Sequence, residues 1–263
     1  MHYLFKPTEL TSWCSPPTSI LLTYPRSGNS WARYCLEVLT HKPTHGDPRG
    51  IRPDAYQRLR DDPDWAVKHL ICPLGMLVNL GIDPAQPPIV HKRHNVIETD
   101  AAAADKLKLV EVIRDYKECI IRNRCYRPNA TWKLYDDWRE RFDKEVPVYL
   151  KHVNWYDSWT GPSHMLHYED LLTDPGNTLT ELLEFLDEDT EPVEQFVADL
   201  EHHRKQSVKI YTSAMPNGSR TKGVGIKTHS STLKQADIAW MDEAVREAAG
   251  DQFEYLQRYV ETT

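Results

Sequence analysis

An apolar run, Ser19–Thr23 (SILLT), passes through a short turn, YPRSG, into NSWARYCLEVL. In that last segment Trp31, Tyr34, Cys35, Val38 and Leu39 recur at helical spacing, so one helix face is apolar. A strand that feeds a helix through so few residues leaves the helix's first N–H groups aimed at the turn. The positive end of the helix dipole points the same way. Gly28 lets the backbone approach a ligand closely. Ser27, Asn29 and Ser30 add short polar side chains, and Arg26 adds a fixed positive charge. This combination suits an anion, above all a phosphate. It is not a Walker loop, because GxxxxGK[ST] is missing. A plain strand–helix turn with a Ser or Asn cap uses the same residue types and stays open as the alternative.

Further strands and helices alternate along the chain. Pro88–Lys92 and Leu107–Arg114 (LKLVEVIR) read as strands, and Ser163–His167 as a shorter one. Helices are predicted from Tyr116 to Tyr126, over Leu179–Leu186 after a DPGN turn, from Pro192 to about His203, and from Leu233 to about Ala249. The alanines at 101–104 read as a helix start capped by Thr99 or Asp100. This alternation predicts an α/β fold with a central parallel β-sheet flanked by helices. The whole chain, 1–263, is expected to form one domain. Ligands of such sheets sit beyond the carboxyl ends of the strands. The segments after Thr23, Lys92 and Arg114 therefore carry the site.

Charge and composition exclude several classes. With 32 Lys and Arg against 39 Asp and Glu, the net charge is −7, which disfavours a general nucleic-acid binder. The longest uncharged stretch, near Leu70–Val90, is broken by prolines and glycines and contains Asp83, so no membrane span is expected. The start, MHYLFKPTEL, lacks the pattern of a secretory signal. The five cysteines are odd in number and form no CxxC, as expected of free thiols in a reducing cytoplasm.

Four segments then match, in order, the sulfotransferases that use 3′-phosphoadenosine 5′-phosphosulfate (PAPS). Thr23–Trp31 (TYPRSGNSW) resembles their 5′-phosphate loop. PIVHKRH, Pro88–His94, resembles the segment with the catalytic histidine. VEVIRDYKECIIR, Val110–Arg122, resembles the 3′-phosphate segment. MLHYEDLLTDPGNTLTELLEFL, Met165–Leu186, resembles the stretch that begins with a YED turn. Ser219–Gly225 (SRTKGVG) is similar to the family's late RKG loop.

The resemblance implies a P-loop-like sulfotransferase fold, PAPS as co-substrate, PAP as product and no metal. It assigns His94 as general base, a role suited to imidazole near neutral pH. Lys92 is implied to contact the 5′-phosphate and the transferring sulfonate. Arg26 stands where the family usually has lysine. It stabilises charge well and donates protons poorly. Ser27, Gly28, Asn29 and Ser30 are implied to hold the 5′-phosphate, and Trp31 to stack on adenine. From its spacing alone Trp31 serves equally as a core residue. Arg114, Arg122, Arg220, Lys222 and Gly223 are implied at the 3′-phosphate, Arg122 where the family has serine. Tyr168 is implied near adenine.

The expected reaction is sulfuryl transfer to a hydroxyl or amine of a small soluble acceptor. A phosphotransferase of P-loop kinase type is disfavoured because no Walker lysine or magnesium-holding acid is evident. A catalytically silent nucleotide-binding protein is the reading from another class. The walls of the acceptor site are expected in residues 40–65 and 127–147. The second interleaves aromatic and acidic residues: Trp132, Tyr135, Asp136, Asp137, Trp138 and Glu140. That pattern predicts a polar acceptor, cationic where those acids face it; the same residues fit equally an amphipathic helix with its acids in water.

Overall fold

The computed structural model describes residues 18–46, 82, 86–96, 107–126, 133–214 and 233–260. The alanine run at 101–104, most of the two expected acceptor walls' loop residues, and Arg220, Lys222 and Gly223 lie outside them.

Five parallel strands form the sheet, in the order β2-β3-β1-β4-β5. They are β1 (Ser19–Thr23), β2 (Thr44–Gly46), β3 (Val90–Arg93), β4 (Lys108–Ile113) and β5 (Ser163–His167). β1 lies in the middle and all its residues are buried. A central parallel strand covered on both faces requires a continuous apolar run, which SILLT supplies. Leu21, Val110 and Val112 face one core with helix α1 (Asn29–Thr40). That core also holds Leu179, Leu182 and Leu183 of α5 (Pro175–Phe185) and Phe196 of α6 (Val193–Ala198). Ile20, Leu22 and Leu109 face the other way.

On that second face lie α2 (Tyr116–Ile120), α3 (Trp138–Asp157) and α8 (Gln235–Ala249), joined in one core through Tyr116, Phe142, Tyr149 and Met241. α4 (Asp170–Thr173) follows β5, and α7 (Leu200–Ala214) follows α6. α7 is a separate helix from α6, with Asp199 capping the break, so the single helix expected after Pro192 is two. α3 is the longest described helix, and its start bears out the amphipathic-helix alternative for the aromatic and acidic segment. Pro147 sits inside it.

Edge strand β2 is fastened to α1 by buried polar groups. Arg33 Nε donates to Thr44 Oγ1 at 2.8 Å, and Nη2 donates to the Thr44 carbonyl at 2.9 Å. The Thr44 amide and hydroxyl both donate to Glu37. Burial raises the Glu37 carboxyl to about 7, against the pull of Arg33.

A second buried network docks the C-terminal elements on α2. Lys117 donates to Asp242 Oδ1 of α8 at 2.9 Å and to the Tyr259 carbonyl, and Tyr116 donates to the same Asp242 oxygen at 2.5 Å. Lys117 is wholly buried. Removing one partner of a buried pair strands the other charge. Lys117→Ala should therefore lose about 3–5 kcal/mol in urea unfolding, while the apolar pair Lys117→Met with Asp242→Leu should recover most of it. A loss below about 1 kcal/mol for the single change would show that this pair does not dock α8.

Candidate active site

The turn after β1 is built on two left-handed residues, Arg26 (φ 76) and Gly28 (φ 95). The Ser27 amide donates to the Tyr24 carbonyl at 3.1 Å, which closes the turn. α1 starts at Asn29 with Gly28 as its cap and no side-chain cap bond. Trp31 and Ala32 donate back to the Gly28 carbonyl, at 3.0 and 3.2 Å. The amides of Asn29 and Ser30, at the helix start, have no acceptor within the helix and lie on the turn side.

Two of the turn residues are buried. Ser27 is fully buried, its hydroxyl against Cys119 Sγ at 3.6 Å and its amide used in the turn. Trp31 is only 2 % exposed and lies stacked on Tyr34, with planes 11° apart and Phe196 behind. It falls on the α1 face that covers the sheet and packs in the core there, with its indole nitrogen buried and without a hydrogen-bond partner among the described residues.

Three arginines converge at the turn. Arg114 ends β4 and reaches the Arg26 carbonyl at 3.4 Å. Arg122 sits on a wider, π-type turn, Ile121–Cys125, that continues α2. Its charge is disfavoured by burial and then by the neighbouring charges of Arg114 and Arg26. Buried Glu118 is the acid beside them, 3.8 Å from Arg114. Like charges brought together at a helix N-terminus form an anion site. Single π turns occur often at functional sites, for the reason seen here: they re-aim a side chain.

Tyr168 joins the two halves of this platform. Its ring lies under the Arg114 guanidinium, 4.3 Å from Cζ to centroid. A Cβ built on Gly28 would overlap the same ring, with Tyr168 Cγ at 2.9 Å. The turn that starts with Tyr168 is held by its neighbours. Glu169 accepts from the Asp115 amide at 3.2 Å and from the Tyr259 hydroxyl at 3.0 Å. Arg258 grips Asp170 with two nitrogens.

His94 follows β3 and reaches back over the end of β1. Its Nδ1 lies 2.8 Å from the Thr23 carbonyl oxygen and 3.0 Å from the Thr23 hydroxyl. A carbonyl can only accept, so Nδ1 carries the hydrogen and Nε2 keeps a bare lone pair. Burial, and then the charge of Lys92, lower the imidazole to about 3. His94 is thus a neutral acceptor of protons with a fixed tautomer. Thr23, which fixes it, was missed as a site residue, since a threonine at a strand end reads as an ordinary β-former.

The acidic wall does not face a site as a set. Asp137 pairs with Arg141 at 2.9 Å and Glu140 with Lys144 at 2.5 Å, both along α3 at its surface. Tyr135 lies against Arg141, and Trp138 against Trp240. Trp132 lies outside the described residues. Among the described residues no three His, Cys, Asp or Glu side chains converge as a metal site, and no helix is long and apolar enough to cross a membrane.

Residues 16–253 match the family described as the sulfotransferase domain. Sulfotransferase 1 family member D1 of Rattus norvegicus is 24% identical over 215 residues, 76% of this chain and 69% of the relative. Mouse sulfotransferase SULT7A1 complexed with PAP superposes with a TM-score of 0.55 at 14% identity, covering 91% of this chain and 88% of that one. Retinol dehydratase in complex with retinol and PAP gives 0.54 at 13%, covering 92% and 84%. These two likenesses establish the fold.

The close approach of Gly28 to Tyr168 is open to a direct test. Gly28→Ala puts a Cβ into the ring at a left-handed φ and should cost at least about 2 kcal/mol in urea unfolding. Gly176, in the first turn of α5 with nothing near its absent Cβ, is the control. Gly176→Ala should be neutral or stabilising by up to about 1 kcal/mol. Equal effects at both positions would mean that Tyr168 does not lie against Gly28.

Proposed function

The chain belongs to the sulfotransferase domain family, and we infer that it transfers the sulfuryl group of PAPS to a small acceptor and releases PAP. The observation that carries the reading is the convergence of Arg26, Arg114 and Arg122 at the start of α1, with the proton-accepting His94 across the end of β1. It is a transferase.

In this reading Arg26 and the Asn29 and Ser30 amides hold the 5′-phosphosulfate. Arg114 and Arg122 hold the 3′-phosphate, with Arg220, Lys222 and Gly223 added from the later loop. The charge density of two separate phosphates explains why three arginines are kept together at a cost to stability. Lys92 neutralises charge growing on the transferring sulfonate. The acceptor's lone pair forms the new bond to sulfur as the bond to the 5′-phosphate oxygen breaks, and that electron pair leaves with PAP. Nε2 of His94 takes the acceptor's proton. Tyr168 stays under Arg114 as its support, on the adenine side.

The acceptor is a small molecule, the class represented by retinol in one structural neighbour and androsterone in another. Two of the acids expected to draw in a cation, Asp137 and Glu140, are paired at the surface at the start of α3. A cytoplasmic setting is supported by the free thiols of Cys35, Cys119 and Cys125.

The 3′-phosphate set predicts that PAP binds far more tightly than 5′-AMP. Each charge-assisted contact contributes roughly 1.5–3 kcal/mol, so Arg114→Ala and Arg122→Ala should each weaken PAP more than about tenfold. The same changes should barely touch 5′-AMP. Calorimetry giving equal affinity for the two nucleotides, or an ATP affinity above that for PAP, would sink the reading.

Base catalysis by His94 predicts a loss of about 10²–10⁴ in single-turnover rate for His94→Ala in EDTA, with PAP binding retained. Because His94 is lowered to about 3, it stays unprotonated as pH falls through its ordinary 6.5. kcat/KM reports the free enzyme's groups, so its acid limb should lie well below pH 6.5. A wild-type-like mutant, or loss of wild-type transfer in EDTA, would reject this role.

A further inference from the structure

The π-type turn that carries Arg122 is gripped from α3 by one buried carboxylate, Glu145. Its Oε1 accepts from the Tyr24 hydroxyl at 2.8 Å and from Asn123 Nδ2 at 3.4 Å. Its Oε2 accepts from Arg124 Nε at 3.0 Å. Asn123 Nδ2 also donates to the Tyr24 hydroxyl at 3.0 Å. Glu145 thus gathers the two residues that follow Arg122 and the tyrosine that stands just before Pro25 and Arg26.

A buried carboxylate is costly unless hydrogen bonds meet it, and these do. The ion pair with Arg124 adds little by itself, because that side chain is 58% exposed. What the arrangement secures is geometry. Tyr24 belongs to the turn after β1, which closes where the Ser27 amide donates to the Tyr24 carbonyl. The Tyr24 ring is held edge-on against Tyr149, with centroids 5.1 Å apart. Asn123 and Arg124 belong to the turn Ile121–Cys125, whose far end is pinned where the Tyr135 amide donates to the Cys125 carbonyl at 2.9 Å. Glu145 therefore ties the turn after β1 to the turn that carries Arg122.

Arg122 needs such a tie. Burial, and then the charges of Arg114 and Arg26, oppose its own charge. Its Nε is buried without a hydrogen-bond partner among the described residues. A guanidinium so placed gains by swinging away from the other two into water. That swing needs the wide turn to rewind, because a π-type turn is what aims the side chain inward. With Asn123 and Arg124 both on Glu145, rewinding breaks bonds to a buried carboxylate, which is costly.

We propose that Glu145, linked through Tyr24 to the turn after β1, is a positioning residue that holds Arg122 at the 3′-phosphate and so selects nucleotides phosphorylated at both the 5′ and 3′ positions. The proposal rests on the PAP reading given above. Glu145 acts through Arg122 and touches no ligand itself. It decides where a charge sits, not how much charge there is. The nucleotide that reports this is 2′,5′-ADP, which carries the charge of PAP with its second phosphate on the neighbouring hydroxyl.

The test is calorimetry of PAP, 2′,5′-ADP and 5′-AMP on the full chain. The wild type should favour PAP over both other nucleotides. Glu145→Leu should weaken PAP about fivefold or more, change 5′-AMP by less than about twofold, and narrow the PAP-to-2′,5′-ADP ratio about threefold or more. In an Arg122→Ala background the same substitution should change PAP by less than about twofold, because the side chain it positions is gone. Glu145→Gln keeps an acceptor for Tyr24 and Asn123 and should fall between the wild type and Glu145→Leu. A full effect of Glu145→Leu in the Arg122→Ala background overturns the proposal. So does an equal loss for PAP and 5′-AMP, the mark of a merely structural residue, or an unchanged PAP-to-2′,5′-ADP ratio in a folded Glu145→Leu. If Glu145→Leu does not fold, Glu145→Gln and Asn123→Ala take its place in the same cycle. A wild type that binds PAP no better than 5′-AMP overturns the 3′-phosphate reading and the proposal with it. A preference for PAP that Arg122→Ala removes and the Glu145 substitutions leave intact overturns the proposal alone.

Discussion

The ring of Tyr168, held between Gly28 and the Arg114 guanidinium, connects the parts on which the site depends. Gly28 belongs to the turn after β1, Arg114 to the end of β4 and Tyr168 to the turn after β5. These three strands are neighbours in the sheet, and the ring sits where their carboxyl ends meet. No residue with a Cβ can occupy position 28 while that ring stays in place. The glycine is therefore demanded from two directions: the backbone needs φ near +95, and the ring needs the space. The guanidinium, lying flat on the ring, keeps its edge nitrogens in a fixed plane for an oxyanion.

Such a platform is electrostatically uncomfortable. Arg26, Arg114 and Arg122 repel one another, and Glu118 offsets them only in part. The surrounding fold holds them by polar links that are themselves buried. Asp115, raised to about 6 by burial, caps α2 through the Lys117 amide, and Lys117 reaches across to Asp242 of α8. Glu169 and Asp170 tie the Tyr168 turn to Tyr259 and Arg258. Arg258 and Tyr259, though far from β1 in sequence, thus brace the turn that carries Tyr168. Interactions of this kind add little net stability, yet breaking one is costly, which is how a strained cationic cluster is kept in register.

What the sequence disclosed followed from the strength of local patterning. The β1–turn–α1 unit was legible because SILLT must be buried on both faces and the helix that follows has a clean apolar stripe. β4 and β5 were legible for similar reasons, and the order of the motifs placed Arg114 and His94 at strand ends. α3 was legible only at its start, and there as one of two readings. Pro147 stands inside it, and its charged first turns read equally as an acceptor wall, whereas the structure folds those charges into i,i+4 pairs. β2 was hidden because a three-residue edge strand carries no periodicity. Its place is set by Arg33 and Glu37 of α1, contacts that only the tertiary fold creates. Trp31 shows the limit of a motif. Its spacing left core and ligand roles equally open, and in the structure it is stacked on Tyr34 within the core. Thr23 was passed over because it is an ordinary residue in a strand.

In the reading proposed above, His94 is a base with little affinity for protons. An imidazole lowered to about 3 is a weak acceptor in the free protein. Two of its three leading causes are burial and the charge of Lys92, and the second changes when a sulfonate arrives. An anion placed against Lys92 cancels part of the charge that disfavours protonation, so the base strengthens as the reacting group docks. A free carboxylate beside His94 would have raised its affinity permanently and left it protonated near neutral pH. In that reading the tuning of His94 is left to the substrate.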